Sequence, residues 1–223
     1  MRRWALFVAL VACGCASSPT SQTSSAKTAP SSTAVATPAS APVEADEYTR
    51  YELLDPDSAQ FHILYEVTVI ASGANVFFNP IRKGSVASGE HVTDRMTGES
   101  LRFEQVSSEE ARRTGLPDAE RDTDYIRIHL PRPVPPQGGQ VRLLIEKTYK
   151  DAKSYFRRGD EIVFARSLSI PRNSVVLPAG YELVACNVPS QVLSASDGRI
   201  FISFMNPGPS EAPLEIRARR LSP

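Results

Sequence analysis

His62, His91 and His129 are the only histidines of the chain, and their spacing decides what they can do. Two imidazoles four residues apart on one helix make half of a zinc site. None of the three has a partner at that distance, so a histidine metal site would have to be assembled from separate strands. His62 and His129 fall in strand-like segments, where a hydrogen-bonded place on one face is the expected role. Cys186 stands in Glu182-Leu183-Val184-Ala185-Cys186-Asn187; a cysteine nucleophile needs a base and an orienting acid, and here the thiol reads as a small buried hydrophobe. Gly-x-Ser-x-Gly, a phosphate-cradling loop and Cys-x-x-Cys are missing from the body of the sequence. Gly84-Ser85-Val86-Ala87-Ser88-Gly89 is flanked by glycines, but neither a lysine nor a helix follows, so it reads as a surface loop. The nearest approach to a calcium loop is Asp118-Ala119-Glu120-Arg121-Asp122-Thr123-Asp124, where Arg121 puts a positive charge in the way of the metal. The sequence therefore predicts no catalytic residue, no metal and no cofactor.

A recognition surface is the other chemistry on offer. Ser154-Tyr155-Phe156-Arg157-Arg158, with Arg166 and Arg172 beyond it, brings together the residue types that dominate binding hot spots. Tyr155, Phe156, Arg157 and Arg158 are the candidate binding residues. The competing reading has Tyr155 and Phe156 capping one end of a sheet, with the arginines solvated.

The elements that must position these groups are short strands. Phe61 to Val69 mixes alternation with an apolar run. Tyr125 to Leu130 puts Ile126, Ile128 and Leu130 on one face and Tyr125, Arg127 and His129 on the other. Val141 to Lys147 is a third, and Glu161 to Ala165, Ser174 to Leu177, Tyr181 to Cys186, Ile200 to Met205 and Leu214 to Arg219 follow. Pro131 to Gly139 supplies a loop, Pro178-Ala179-Gly180 a turn and Asp197-Gly198 a hairpin. Ser107 to Thr114 alone looks helical, with a serine cap, two glutamates in the first turn and Gly115 as its stop. One short helix cannot cover a parallel sheet. The expected fold is all-β, an antiparallel β-sandwich over residues 47–150, with a strand region over 151–223 that either continues it or forms a second small sandwich. Lysine plus arginine equals aspartate plus glutamate at 25 each, which removes the electrostatic case for nucleic acid.

The amino terminus carries an address. Met1-Arg2-Arg3 and the uncharged run from Trp4 to Ala12 make a basic and then an apolar region of signal-peptide length, too short to span a bilayer. Leu10-Val11-Ala12-Cys13 resembles the lipobox of bacterial lipoproteins. The resemblance implies removal of residues 1–12 and acylation of Cys13, which would hold the protein on the membrane by two or three chains. Cys15 fits the pattern less well, because Ala12 would take the leucine position. Gly14 in place of an aspartate implies, on enterobacterial sorting rules, the outer membrane. Residues 13–46 beyond it are nearly all Ser, Thr, Ala and Pro, a composition expected to form a disordered tether reaching a few tens of ångströms.

A second resemblance covers residues 47–150. Tyr51-Glu52-Leu53-Leu54-Asp55-Pro56, the strand from Phe61, Ile126-Arg127-Ile128-His129-Leu130-Pro131 and Val141-Arg142-Leu143-Leu144-Ile145 follow the order seen in the amino-terminal β-sandwich of aminopeptidase-N type zinc peptidases. That sandwich is non-catalytic. The family's His-Glu-x-x-His zinc motif and its Gly-x-Met-Glu-Asn loop are absent, so its chemistry is not implied for this chain. The expectation is a membrane-anchored envelope lipoprotein whose sandwich binds or scaffolds an envelope protein. The rivals are an envelope hydrolase with a scattered site and an accessory subunit of a separate peptidase.

Overall fold

The computed structural model describes residues 43–208 and 210–221; Cys13, the signal segment and most of the expected tether lie outside them. Along the chain run β1 (Glu44–Leu53), β2 (Gln60–Val69), β3 (Val76–Pro80), β4 (Val86–Asp94) and β5 (Phe103–Val106). After α1 (Ser108–Thr114) come β6 (Tyr125–His129), β7 (Val141–Lys150), β8 (Tyr155–Arg158) and β9 (Glu161–Leu168). The last five are β10 (Arg172–Val176), β11 (Tyr181–Cys186), β12 (Gln191–Ser194), β13 (Ile200–Met205) and β14 (Ala212–Arg220).

Strict alternation builds the central pair. Phe61, Ile63, Tyr65, Val67 and Val69 of β2 are buried, as are Val141, Leu143, Ile145, Lys147 and Tyr149 of β7. The register sets them opposite one another as Phe61↔Tyr149, Ile63↔Lys147, Tyr65↔Ile145, Val67↔Leu143 and Val69↔Val141. This ladder lies in a seven-stranded sheet of order β12-β13-β10-β1-β2-β7-β4. A four-stranded sheet, β11-β14-β9-β8, and a three-stranded one, β3-β6-β5, complete the fold. Their buried residues join those of the large sheet in one apolar cluster, so the molecule is an all-β sandwich with a divided second layer. Tyr51, Phe61, Tyr149 and Phe164 knit the layers, with Phe61 edge-on to Phe164 at 5.3 Å and to Tyr149 at 6.0 Å.

Four features depart from the sequence expectation. First, β1 pairs in parallel with β10 while every other pair is antiparallel, and this ladder joins the first half of the chain to the second in one sheet. A parallel neighbour needs a long connection, and here everything from β2 to β9 supplies it. Second, β1 already pairs at Glu44 and Ala45, which face Val69 and Thr68, so the sheet begins ahead of residue 47. Third, the segment expected as a loop around Gly84–Gly89 is for the most part β4. Ser88 pairs with Thr148 and His91 with Glu146, which leaves Gly89 and Glu90 together opposite Lys147. This is a β-bulge, and Gly89 adopts the left-handed φ of 63° that such a bulge requires. Fourth, Pro178-Ala179-Gly180 carries the chain from one sheet to another, since β10 and β11 belong to different sheets.

Asp197-Gly198 does turn the β12–β13 hairpin, and α1 is capped as its sequence requires, the Ser107 hydroxyl accepting from the Glu110 amide. Ala111 of this helix packs with Val106, Ala119 and Tyr125 in a small satellite core.

Candidate functional site

Alternation carries two cations into the interior. In β7 the inward row Val141, Leu143, Ile145 continues with Lys147, which is 4% exposed. In β9 the inward row Ile162, Phe164 continues with Arg166, which is 8% exposed, and ends with Leu168. One cation comes from each layer of the sandwich, and both line a cavity of about 510 Å³.

Lys147 donates to the Asn79 Oδ1 at the end of β3, and its ammonium lies 5.1 Å from the centre of the Tyr149 ring. Burial pulls its pKa down to about 8; Glu90, aimed across the bulge, pushes the other way, and Arg166 adds to the fall. No hydrogen bond joins Glu90 to Lys147 among the described residues.

Arg166 sits among three aromatic rings, 5.3 Å from that of Phe61, 5.5 Å from Tyr149 and 5.7 Å from Tyr51. Its nearest anion is Asp151, 3.7 Å from Nη1, too far for a hydrogen bond. The reason is that Asp151 is already saturated. Its Oδ1 accepts from the Lys153 and Ser154 amides at 3.0 and 3.1 Å, and its Oδ2 from the Ser154 and Ser85 hydroxyls at 2.7 and 3.1 Å. Burial works to raise the Asp151 carboxyl, and these hydrogen bonds outweigh it and hold the group below the usual carboxylate range. Among the described residues Arg166 Nε and Nη1 are thus buried without an acceptor, and the Thr49 Oγ1 on the same wall is buried without a partner. Desolvation lowers the Arg166 pKa from its ordinary value.

The floor of the cavity is buried and its rim exposed. Tyr51, Ile63 and Tyr65 line the floor beside the two cations, while Arg82, Lys83, Glu120 and Glu211 stand at the mouth. At the rim Lys83 donates to Glu120 at 2.7 Å, and Arg82 to the Ser167 carbonyl at 2.9 Å. The Arg82 amide also donates to the Tyr149 hydroxyl at 3.2 Å, which ties the rim to the floor. A second hollow lies beside β10 and β13, lined by Tyr48, Arg172, Phe204 and Met205. Its one arginine is exposed and bound to Asp46, so it holds no buried cation.

The residues singled out from sequence are dispersed. Tyr155 is fully buried and its hydroxyl donates to the Leu54 carbonyl at 2.9 Å, which removes it from any surface. The alternation of β8 turns it inward. Phe156 is half-buried under Arg158, whose guanidinium lies 5.6 Å from its ring. Arg157 pairs with Asp57 at 2.6 Å and Arg158 with Glu215 at 3.3 Å. Arg166, expected on that surface, is the buried cation of the cavity instead. His62 faces Thr148 and Glu146, His129 faces Glu104, and His91 is exposed on β4. Among the described residues no group of three or more His, Cys, Asp and Glu could hold a metal ion. Cys186 is a half-buried free thiol packed against the core, and Cys13 lies outside the described residues.

Lys147, Asn79, Glu90, Tyr51 and Tyr149 were not singled out as site residues. The signal was a charge standing in the apolar register of an alternating strand, at Lys147 between Ile145 and Tyr149 and at Arg166 between Phe164 and Leu168.

No family model and no curated protein matches the chain. Similar solved structures include an M1 zinc metallopeptidase from Deinococcus radiodurans, at 12% identity and a TM-score of 0.48. A two-domain M1 zinc metallopeptidase bound to L-tryptophan matches at 13% identity and a TM-score of 0.48. Each match covers 78% of this chain and 41% of the other, so the chain spans less than half the length of these structures. They are zinc peptidases, as in the resemblance noted for residues 47–150.

Proposed function

We propose that the protein is a lipid-anchored binding module of the bacterial cell envelope, without a catalytic role of its own. The observation that supports it best is the cavity between the layers, where Arg166 keeps two buried donor atoms without an acceptor. An arginine buried away from a bonded partner is costly, and a pocket of this size with a few convergent polar groups is the usual form of a small-molecule site. The sandwich is then a receptor body, and the Leu10-Val11-Ala12-Cys13 segment places it on the membrane, the outer one on the sorting pattern of Gly14. A partner protein of the envelope would receive the loaded or empty body.

Two experiments test this. Membrane fractionation of cells producing the Cys13→Ser variant should find the body released; full membrane retention of that variant would sink the anchor. Crosslinking in the native envelope should capture a specific protein with the intact chain. Capture of no protein would remove the partner from the proposal.

A further inference from the structure

The chemistry of the cavity narrows its ligand, on the reading that the cavity is a binding site. Lys147 and Arg166 project from facing layers into one cavity, and Arg166 is close enough to disfavour the charge of Lys147. The groups that face them are Glu90 and Asp151 on the acidic side and Arg82 on the basic side. Neither carboxylate satisfies the cations by hydrogen bonding: Asp151 has given its acceptor positions to Ser85, Lys153 and Ser154, and Glu90 meets Lys147 only through space. Among the described residues, Lys147 thus has the Asn79 carbonyl oxygen as its hydrogen-bond acceptor, while Arg166 Nε and Nη1 are donors of positive charge with none. An oxyanion supplies what is missing, since charge-assisted bonds to guanidinium and ammonium groups are stronger than those of a neutral ligand.

The walls define the rest of the molecule. Tyr51, Tyr65 and Tyr149 with Ile63 present flat and apolar surface beside the cations. The rim alternates Arg82 and Lys83 with Glu120 and Glu211, so it offers no basic track for a polyanion to follow outward. We infer that the cavity takes a small molecule with a single oxyanion group, carboxylate or phosphoryl. That group accepts hydrogen bonds from Arg166 and Lys147, and an apolar or aromatic body rests against Tyr51 and Tyr149.

Calorimetric titration of the purified full-length protein with benzoate, phenylphosphate and benzamide at constant ionic strength tests this. Benzoate or phenylphosphate should bind at least tenfold more tightly than neutral benzamide, and whichever of the two anions binds identifies the source of the oxyanion. Lys147→Met keeps the length of the stem and removes the charge; it should weaken the anion at least tenfold and leave benzamide unchanged. It serves in place of Arg166→Met, whose loss from among three rings threatens folding. Equal affinity for benzamide and the anions would overturn the oxyanion assignment while leaving a ligand cavity. Failure of all three probes to bind would take the cavity reading down with it.

Discussion

The two ends of the β2–β7 ladder are built by one rule and end up as different chemistry. Toward Val69↔Val141 and Val67↔Leu143 every inward residue is aliphatic and buried, and the sheet is ordinary core. Toward Ile63↔Lys147 and Phe61↔Tyr149 the same inward face holds a cation, a phenol and the floor of a cavity. Backbone geometry does not distinguish the ends, since both run in unbroken antiparallel register. Side-chain identity at one position does, helped by the bulge on β4 that swings Glu90 toward that position. Alternation thus decides which residues are interior, and the residue type at each interior position decides between packing and binding.

The largest effect should come from damaging the aliphatic end. Ile145→Ala removes a fully buried side chain and should cost about 2–5 kcal/mol in urea unfolding, with affinity for the anion retained in the folded fraction. At the cavity end the sign should reverse. The fall of the Lys147 pKa from 10.5 to about 8 corresponds to about 3 kcal/mol of penalty on the buried charge. Lys147→Met should therefore raise stability at pH 7 by about 1–3 kcal/mol, and a loss of stability would show that the ammonium's contacts with Asn79 and the Tyr149 ring outweigh the penalty of burying it.

The pH dependence sharpens the same contrast. Because the folded pKa is below the unfolded one, the unfolded chain binds more protons between about pH 8 and 10.5. Stability of the unsubstituted protein should rise with pH across that window, and Lys147→Met should lose that slope. A smaller effect is expected from Gly89→Ala, where a side chain meets open space but the left-handed backbone is strained, at about 1–2 kcal/mol. The same change should loosen Glu90 from its position opposite Lys147. Smallest of all, Arg158→Ala breaks an exposed pair with Glu215 and should shift the unfolding midpoint by no more than about 0.5 kcal/mol.

Much of this architecture was legible because alternation is a local signal. Ile126, Ile128 and Leu130 fall on the buried face that their spacing predicts, and the serine cap and glycine stop bracket α1. The candidate site escaped for a related reason. Reading strands by apolar content ends β7 at Lys147 and β9 at Ala165, whereas the ladders continue to Lys150 and Leu168. Each strand was cut at the charge that matters. A lysine or arginine at such a position looks like the start of a loop unless the apolar residue two places further on is given equal weight. The parallel β1–β10 pair was illegible in another way, because more than a hundred intervening residues separate partners that carry no local sign of each other.

That pair also has a mechanical consequence. β1 is an inner strand, zipped to β2 along most of its length on one side and to β10 over Tyr48 to Glu52 on the other. Tension applied to the chain ahead of Glu44 would run lengthwise down β1, and two ladders would share the load in shear instead of opening one bond at a time. Where the chain enters its folded body, the structure is braced against being pulled.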